Sequence, residues 1–179
     1  PVLAEVKNDG DDVHLKQFIA KISGSLGAIV TIVTIVGVIG SPILAALFGM
    51  GWFVDYLNDG DEGQKFELAS LMLKITFPYL LFISLTGLAV SLLNTLNKFA
   101  AVAFTPVLLN VAIISCALFL APRFEEPVFA IAWGVFLGGF FQLLFLIPFL
   151  IKAGLLVKPQ WGWSDPDIIK VRTLMIPAL

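Results

Sequence analysis

The sequence predicts an all-α membrane protein, a polytopic bundle of four complete transmembrane helices followed by the start of a fifth. Three observations carry that prediction. Apolar residues make up 59% of the 179 and charged residues only 13%, with a mean hydropathy of +0.97, whereas soluble domains carry about 25% charge. The charges also fall in clusters, leaving residues 22–54, 75–97, 99–122 and 127–151 without any Asp, Glu, Lys or Arg. Each tract exceeds the roughly 20 residues that cross a ~30 Å hydrocarbon core at 1.5 Å per residue. Finally, the tracts are apolar on every face and rich in Leu, Ala, Ile and Phe, where a barrel strand would alternate over about 10 residues.

These tracts define spans A to D, at residues 23–48, 75–97, 100–121 and 128–151, within a four-helix part covering 22–151. Residues 1–21 lead into the first span and 152–167 form a linker. Residues 168–179 begin another helix, for which Asp165 before Pro166 is the expected N-cap. The chain opens at Pro1 without Met and stops inside an apolar run. The remainder of the same polypeptide is therefore an expected partner at both ends. No secretory signal can be read, because the first 21 residues mix Lys7, Lys16 and Lys21 with acids and lack an apolar stretch.

Charge sets the expected orientation. Lys7, Lys16, Lys21, Lys98, Lys152, Lys158, Lys170 and Arg172 lie on one side of the alternating spans, against Lys65, Lys74 and Arg123 on the other. The richer side is expected in the cytoplasm. Loops 49–73 and 122–127, the first holding Asp55, Asp59, Asp61, Glu62 and Glu67, then face outward into the periplasm.

Several function classes find no support. The net charge of -2 and the scattered basic residues suggest no nucleic acid. Cys116 stands alone in an apolar run and is expected to be a packed thiol. His14 is the single histidine, expected to be a solvated loop residue and no metal ligand. Metalloprotease, nucleophile-elbow and Walker-type motifs are absent, and no span holds a carboxylate pair. The reading is of a protein that is not an enzyme and needs no cofactor. Gly134 and Gly138 form a Gly-x-x-x-Gly pattern in span D, read as close packing within the chain, with dimerisation as the alternative.

Two patterns point to transport. Pro42, Pro78, Pro106 and Pro148 put a proline in or beside each span, with Pro177 in the fifth. Such prolines free the carbonyls of Val38, Lys74, Val102, Leu144 and Thr173 and make hinge candidates. Membrane helices carry extra proline in any case, and Pro106 next to a Thr105 N-cap would leave no kink. Span B also carries Ser84, Gly87, Ser91, Asn94, Thr95 and Lys98 on one helical face, with Asn97 adjacent. In hydrocarbon these groups must meet protein or water. Asn110 in span C and Gln142 in span D are the candidate partners. The stripe fits either interhelical hydrogen-bond glue, worth about 0.6 kcal/mol per contact, or a water-filled substrate path.

Leu73-Lys74-Ile75-Thr76-Phe77-Pro78-Tyr79, Leu93-Asn94-Thr95-Leu96-Asn97-Lys98-Phe99 and Phe104-Thr105-Pro106-Val107-Leu108-Leu109-Asn110 together resemble the MurJ/MviN lipid II flippase family. Pro1-Val2-Leu3-Ala4-Glu5, Gly138-Gly139-Phe140-Phe141-Gln142-Leu143 and Met175-Ile176-Pro177-Ala178-Leu179 extend the resemblance over the whole chain, in order. It implies the fold of the multidrug/oligosaccharidyl-lipid/polysaccharide exporter superfamily: two six-helix lobes about a central cavity, working by alternating access, with two further helices. Spans A to D would be the third to sixth helices of the N-terminal lobe, and 168–179 would begin the seventh. The implied function is moving lipid II, the undecaprenyl-pyrophosphate-linked precursor, from the cytoplasmic to the periplasmic leaflet of the bacterial inner membrane. That step serves peptidoglycan synthesis, cell wall biogenesis and cell shape. Lipid II and membrane lipids are the implied partners. The family's arginines for the pyrophosphate lie in its first, second and eighth helices, and its cation site draws on helices beyond Leu179. No residue here inherits either role. A multidrug or other lipid-linked oligosaccharide exporter, and a non-transporting membrane scaffold, are the alternatives.

Overall fold

The computed structural model describes residues 2, 6, 12–58, 60 and 62–175. Pro1, Lys7, Asp59, Asp61 and the closing Ile176-Pro177-Ala178-Leu179, all used above, lie outside the described residues. Among those described, the regular elements are helical: α1 (Asp12–Ile39), α2 (Ser41–Phe48), α3 (Met50–Leu57), α4 (Gly63–Thr76), α5 (Tyr79–Thr95), α6 (Phe99–Phe119), a 3-10 turn (Ala121–Arg123), α7 (Val128–Lys152) and α8 (Pro166–Met175). Among the described residues, four stretches are long and apolar enough to cross a membrane: α1, α4 with α5, α6 running into the 3-10 turn, and α7.

The apolar tracts locate these spans but not always the helix ends. Span A was expected from residue 23, yet α1 begins at Asp12 and its 28 residues extend about 42 Å. Its first turns therefore stand outside a ~30 Å core, where Lys16 and Lys21 stay hydrated. His14 is corrected by the same finding: it sits on α1, not in a loop. Span A also divides, because α1 stops at Gly40 and Ser41 restarts the chain as α2 with Pro42 in its first turn, where a missing N–H costs nothing. Residues 49–73 are likewise mostly helix rather than loop. Gly49 separates α2 from α3, and α4 starts at Gly63.

α7 is the central helix. Gly134 and Gly138 turn towards α6, where an added Cβ would lie 2.8 Å from the Ile113 Cα and 3.1 Å from the Leu109 Cα. Gly139 turns towards α5, where a Cβ would lie 2.5 Å from the Tyr79 ring. The Gly-x-x-x-Gly pattern thus serves packing within the chain. Cys116 is buried beside Gly134 as a packed thiol. The buried cluster gathers at the end where α1 starts and α7 stops, joining Phe18, Ile19, Leu92, Leu93, Leu146 and Leu150. Elsewhere apolar ridges face outward, as at Val111, Ile114 and Leu118 of α6, an arrangement suited to lipid rather than water.

α5 and α7 end in the same way. Asn97 (φ 58°) and Gly154 (φ 69°) adopt the left-handed conformation. The following N–H groups, of Lys98 and Leu155, each donate at 3.0 Å to the carbonyls of Leu93 and Leu150. This Schellman cap satisfies the orphan carbonyls of both helices. α8 begins as its sequence indicates: the Asp165 carboxylate accepts from the Asp167 N–H at 3.1 Å, and the Asp165 carbonyl accepts from Ile169 at 2.9 Å.

The linker before α8 is strapped across α1. The Gln160 N–H donates to the Ala20 carbonyl (2.8 Å) and the Gly162 N–H to the Ser25 Oγ (3.1 Å). Gly24 provides the room, since a Cβ there would meet the Gln160 carbonyl oxygen at 2.1 Å. Lys21 reaches Asp165 (2.5 Å) and His14 reaches Asp167 (2.8 Å). The Lys21 hydrogen bond is the main cause that holds the Asp165 carboxyl below its ordinary value, against partial burial and with help from the Asp167 N–H. A lowered carboxylate stabilises the strap fully above the ordinary value of 3.8, and the contribution is lost as pH falls through the lowered native value. A partly buried surface pair of this kind is worth about 1 kcal/mol. Protection of the Gln160 and Gly162 amides from hydrogen exchange should therefore be flat near neutrality and fall a few-fold in acid. Asp165→Asn should show the acid level of protection at neutral pH, and parent-like protection in that variant would remove the ion pair from the account.

Candidate functional site

α5 places the polar stripe by helical period alone. Ser84, Gly87, Ser91, Asn94 and Thr95 fall within an arc of roughly 100° at 100° per residue, opposite the buried Thr86, Ala89, Leu92 and Leu93; Lys98, expected on the same face, lies beyond the helix end, because the left-handed Asn97 breaks the period before it. α5 therefore packs mainly through its other face and leaves the middle of this one, at Gly87 and Ser91, open. Gly87 and Ser91 are exposed, Ser84, Asn94 and Thr95 half-buried. A Cβ added at Gly87 would find nothing within 4 Å. The Thr95 hydroxyl donates to the Ser91 carbonyl (2.8 Å) within its own helix.

The expected partners lie elsewhere. Gln142 is buried between α6 and α7 and donates through Nε2 to the Thr105 carbonyl at 3.1 Å. It couples α7 to α6, because the glycines draw those two backbones together. Asn110 sits on the exposed side of α6. Neither supplies the stripe with a hydrogen-bond partner. Thr105 is no N-cap either. It lies inside α6, buried, with its hydroxyl on the Ala101 carbonyl at 3.2 Å. Asn97, expected beside the substrate path, has the backbone task of turning α5 into α6. Lys98 closes that turn as the residue before α6, exposed beyond the end of α5.

The hinge candidates separate into two kinds. Pro106 and Pro148 lie inside continuous helices. Pro42 and Pro78 mark interruptions, between α1 and α2 and between α4 and α5. These two breaks adjoin, since the Phe77 ring lies against Gly37, where an added Cβ would be 2.1 Å from its Cε1. Phe77 was invisible as a joint residue from its own sequence context. Its neighbour Pro78 was the available signal. Among the described residues, no group of three or more His, Cys, Asp or Glu side chains gathers to hold a metal.

The arrangement is therefore a helix whose polar face is open at Gly87 and Ser91, beside jointed spans. Residues 1–179 all match the model of the family described as Lipid II flippase MurJ. The chain is 59% identical over 179 residues to the probable lipid II flippase MurJ of Vibrio cholerae and 56% identical over 179 to that of Haemophilus influenzae. Those matches take in 100% of this chain and 34% and 35% of the two relatives. The lipid II flippase MurJ of Burkholderia cenocepacia is 38% identical, over 99% of this chain and 34% of its own. The chain thus spans about a third of the length of these curated relatives. With a single family matched from the first residue to the last, on four helices built to cross a bilayer, this multi-pass membrane chain belongs to the lipid II flippase MurJ family.

Proposed function

We propose that these helices form one wall of the path by which a flippase moves lipid II from the cytoplasmic to the periplasmic leaflet of the inner membrane, by alternating access. The observation that carries this reading is the open polar face of α5. Glue residues would be spent on contacts inside the bundle, as Gln142 is, whereas Gly87 and Ser91 stay exposed. A row of small and hydroxyl side chains leaves space for water and for the polar headgroup while presenting hydrogen-bonding groups to it. Lys98, at the end expected in the cytoplasm, offers an ammonium to an arriving pyrophosphate. The adjoining breaks at Pro42 and Pro78 are where the wall would flex.

Cysteine accessibility tests this in the complete protein on a cysteine-free background, reconstituted in vesicles. Ser91→Cys should react with a membrane-impermeant thiol reagent, and added lipid II should slow the reaction several-fold. Leu118→Cys, on the outward ridge of α6, should stay unreactive. Glu125→Cys should react from the periplasmic side and Lys158→Cys from the cytoplasmic side. Ser91→Cys as inert as Leu118→Cys would overturn the hydrated path, and labelling of Lys158→Cys from the periplasm would reverse the orientation.

A further inference from the structure

We propose that α3 is a membrane-surface helix, seated in the headgroup layer with one edge in hydrocarbon, which anchors the adjoining ends of α2 and α4 to the bilayer. Its Met-Gly-Trp-Phe-Val-Asp-Tyr-Leu sequence divides into three sectors. Met50, Val54 and Leu57, at spacings of four and three, form an exposed apolar edge at 59%, 47% and 64% exposure. Phe53 and Tyr56 form the packed sector, with their rings 5.3 and 5.1 Å from that of Phe66 on α4. Gly51, Asp55 and Asn58 make the polar sector. The Asn58 amide returns to the Val54 carbonyl (2.9 Å) and closes the helix end.

A water-soluble loop would not show three large apolar side chains on one edge while Phe53 and Tyr56 already pack on Phe66. The occupant of that edge is lipid, because the edge continues the outward ridge of the spanning helices. Ile39, Ile43, Leu47 and Phe48 carry the ridge along α1 and α2 to Met50. The charged Glu62, Lys65 and Glu67 follow directly at the start of α4, which sets the headgroup level beside α3. Half-exposed Trp52 and Tyr56 are the residue types that favour the interface. Surface helices of this kind bury their apolar face about 5–10 Å into the headgroup and acyl boundary.

Spin labels in the complete protein in bilayers test the placement, using Leu57→Cys, Met50→Cys and Asn58→Cys. Labels at 57 and 50 should be several-fold more accessible to oxygen than to a water-soluble nickel relaxant, and the label at 58 should show the reverse. Depth at 57 should be shallower than at Ile43→Cys. Nickel access at 57 and 50 equal to that at 58 would put α3 in water. Closure of 57 and 50 to both reagents would mean that the rest of the polypeptide covers the edge, and either result overturns the proposal. None of these readings depends on whether the protein moves lipid II.

Discussion

Gly138→Leu is expected to abolish recovery of folded protein, and Gly138→Ala to lower stability by about 1–3 kcal/mol, the range for overpacking a tight interior. A Cβ at 138 meets the Leu109 Cδ1 at 2.6 Å and Cα at 3.1 Å, and one at 134 meets the Ile113 Cα at 2.8 Å. A rotamer change clears a side-chain tip, but a Cα moves only with its helix. Parting α6 from α7 would also strip Gln142 of its Thr105 partner, leaving a buried amide at a cost of about 1–3 kcal/mol. In a bilayer no hydrophobic term draws the helices back together, so close packing and such hydrogen bonds carry the association. Gly87→Ala is the matched control, with nothing within 4 Å. Thermal unfolding in detergent and abundance in the membrane would measure both. Recovery of Gly138→Leu with parental stability would refute contact at the backbone.

How far the sequence was legible follows from what each signal reports. Hydropathy reports depth in the bilayer, so spans C and D, expected at 100–121 and 128–151, match α6 and α7 within about two residues. The same signal does not report helix in charged or mixed segments, and so the span bounds left out the first turns of α1, the α3 helix and the charged start of α4. Period along one helix was equally readable as far as Thr95, where the α5 stripe and its buried opposite face agree with residue spacing, but it failed for Lys98, which lies past the break at Asn97. What the stripe faces was not readable, because helix pairing is decided by surfaces on other helices. Gln142 pairs with a carbonyl 37 positions away because Gly134 and Gly138 admit α6 so closely. The Lys21–Asp165 and His14–Asp167 pairs span 144 and 153 positions, and nothing local to His14 distinguishes a strap residue from a solvated one. Asn97 shows the opposite limit. Its sequence suits both a polar path and a left-handed cap, and the backbone chooses the cap.

Gly87→Trp in the complete protein is expected to lower lipid II translocation at least tenfold at unchanged abundance and folding. Gly87 occupies the middle of α5, where glycine costs about 0.5–1 kcal/mol relative to alanine, so a helix keeps it there at a loss unless space is needed. Among the four spans nothing needs that space, since no atom lies within 4 Å of an added Cβ. An indole at this position would fill the gap between Ser84 and Ser91, the two stripe positions on either side of it. It would also replace hydrated surface with apolar surface. A tenfold loss corresponds to about 1.4 kcal/mol in the barrier, which exclusion of a few waters and one headgroup hydrogen bond readily supplies. Gly87→Ala should transport like the parent, and Leu118→Trp, on the outward ridge of α6, should as well. Translocation of labelled lipid II in vesicles, normalised to folded protein, is the measurement. If another part of the polypeptide packed on Gly87, the tryptophan would instead reduce folded protein and leave the flux per folded molecule unchanged. That outcome would make the stripe a packing surface and remove α5 from the path.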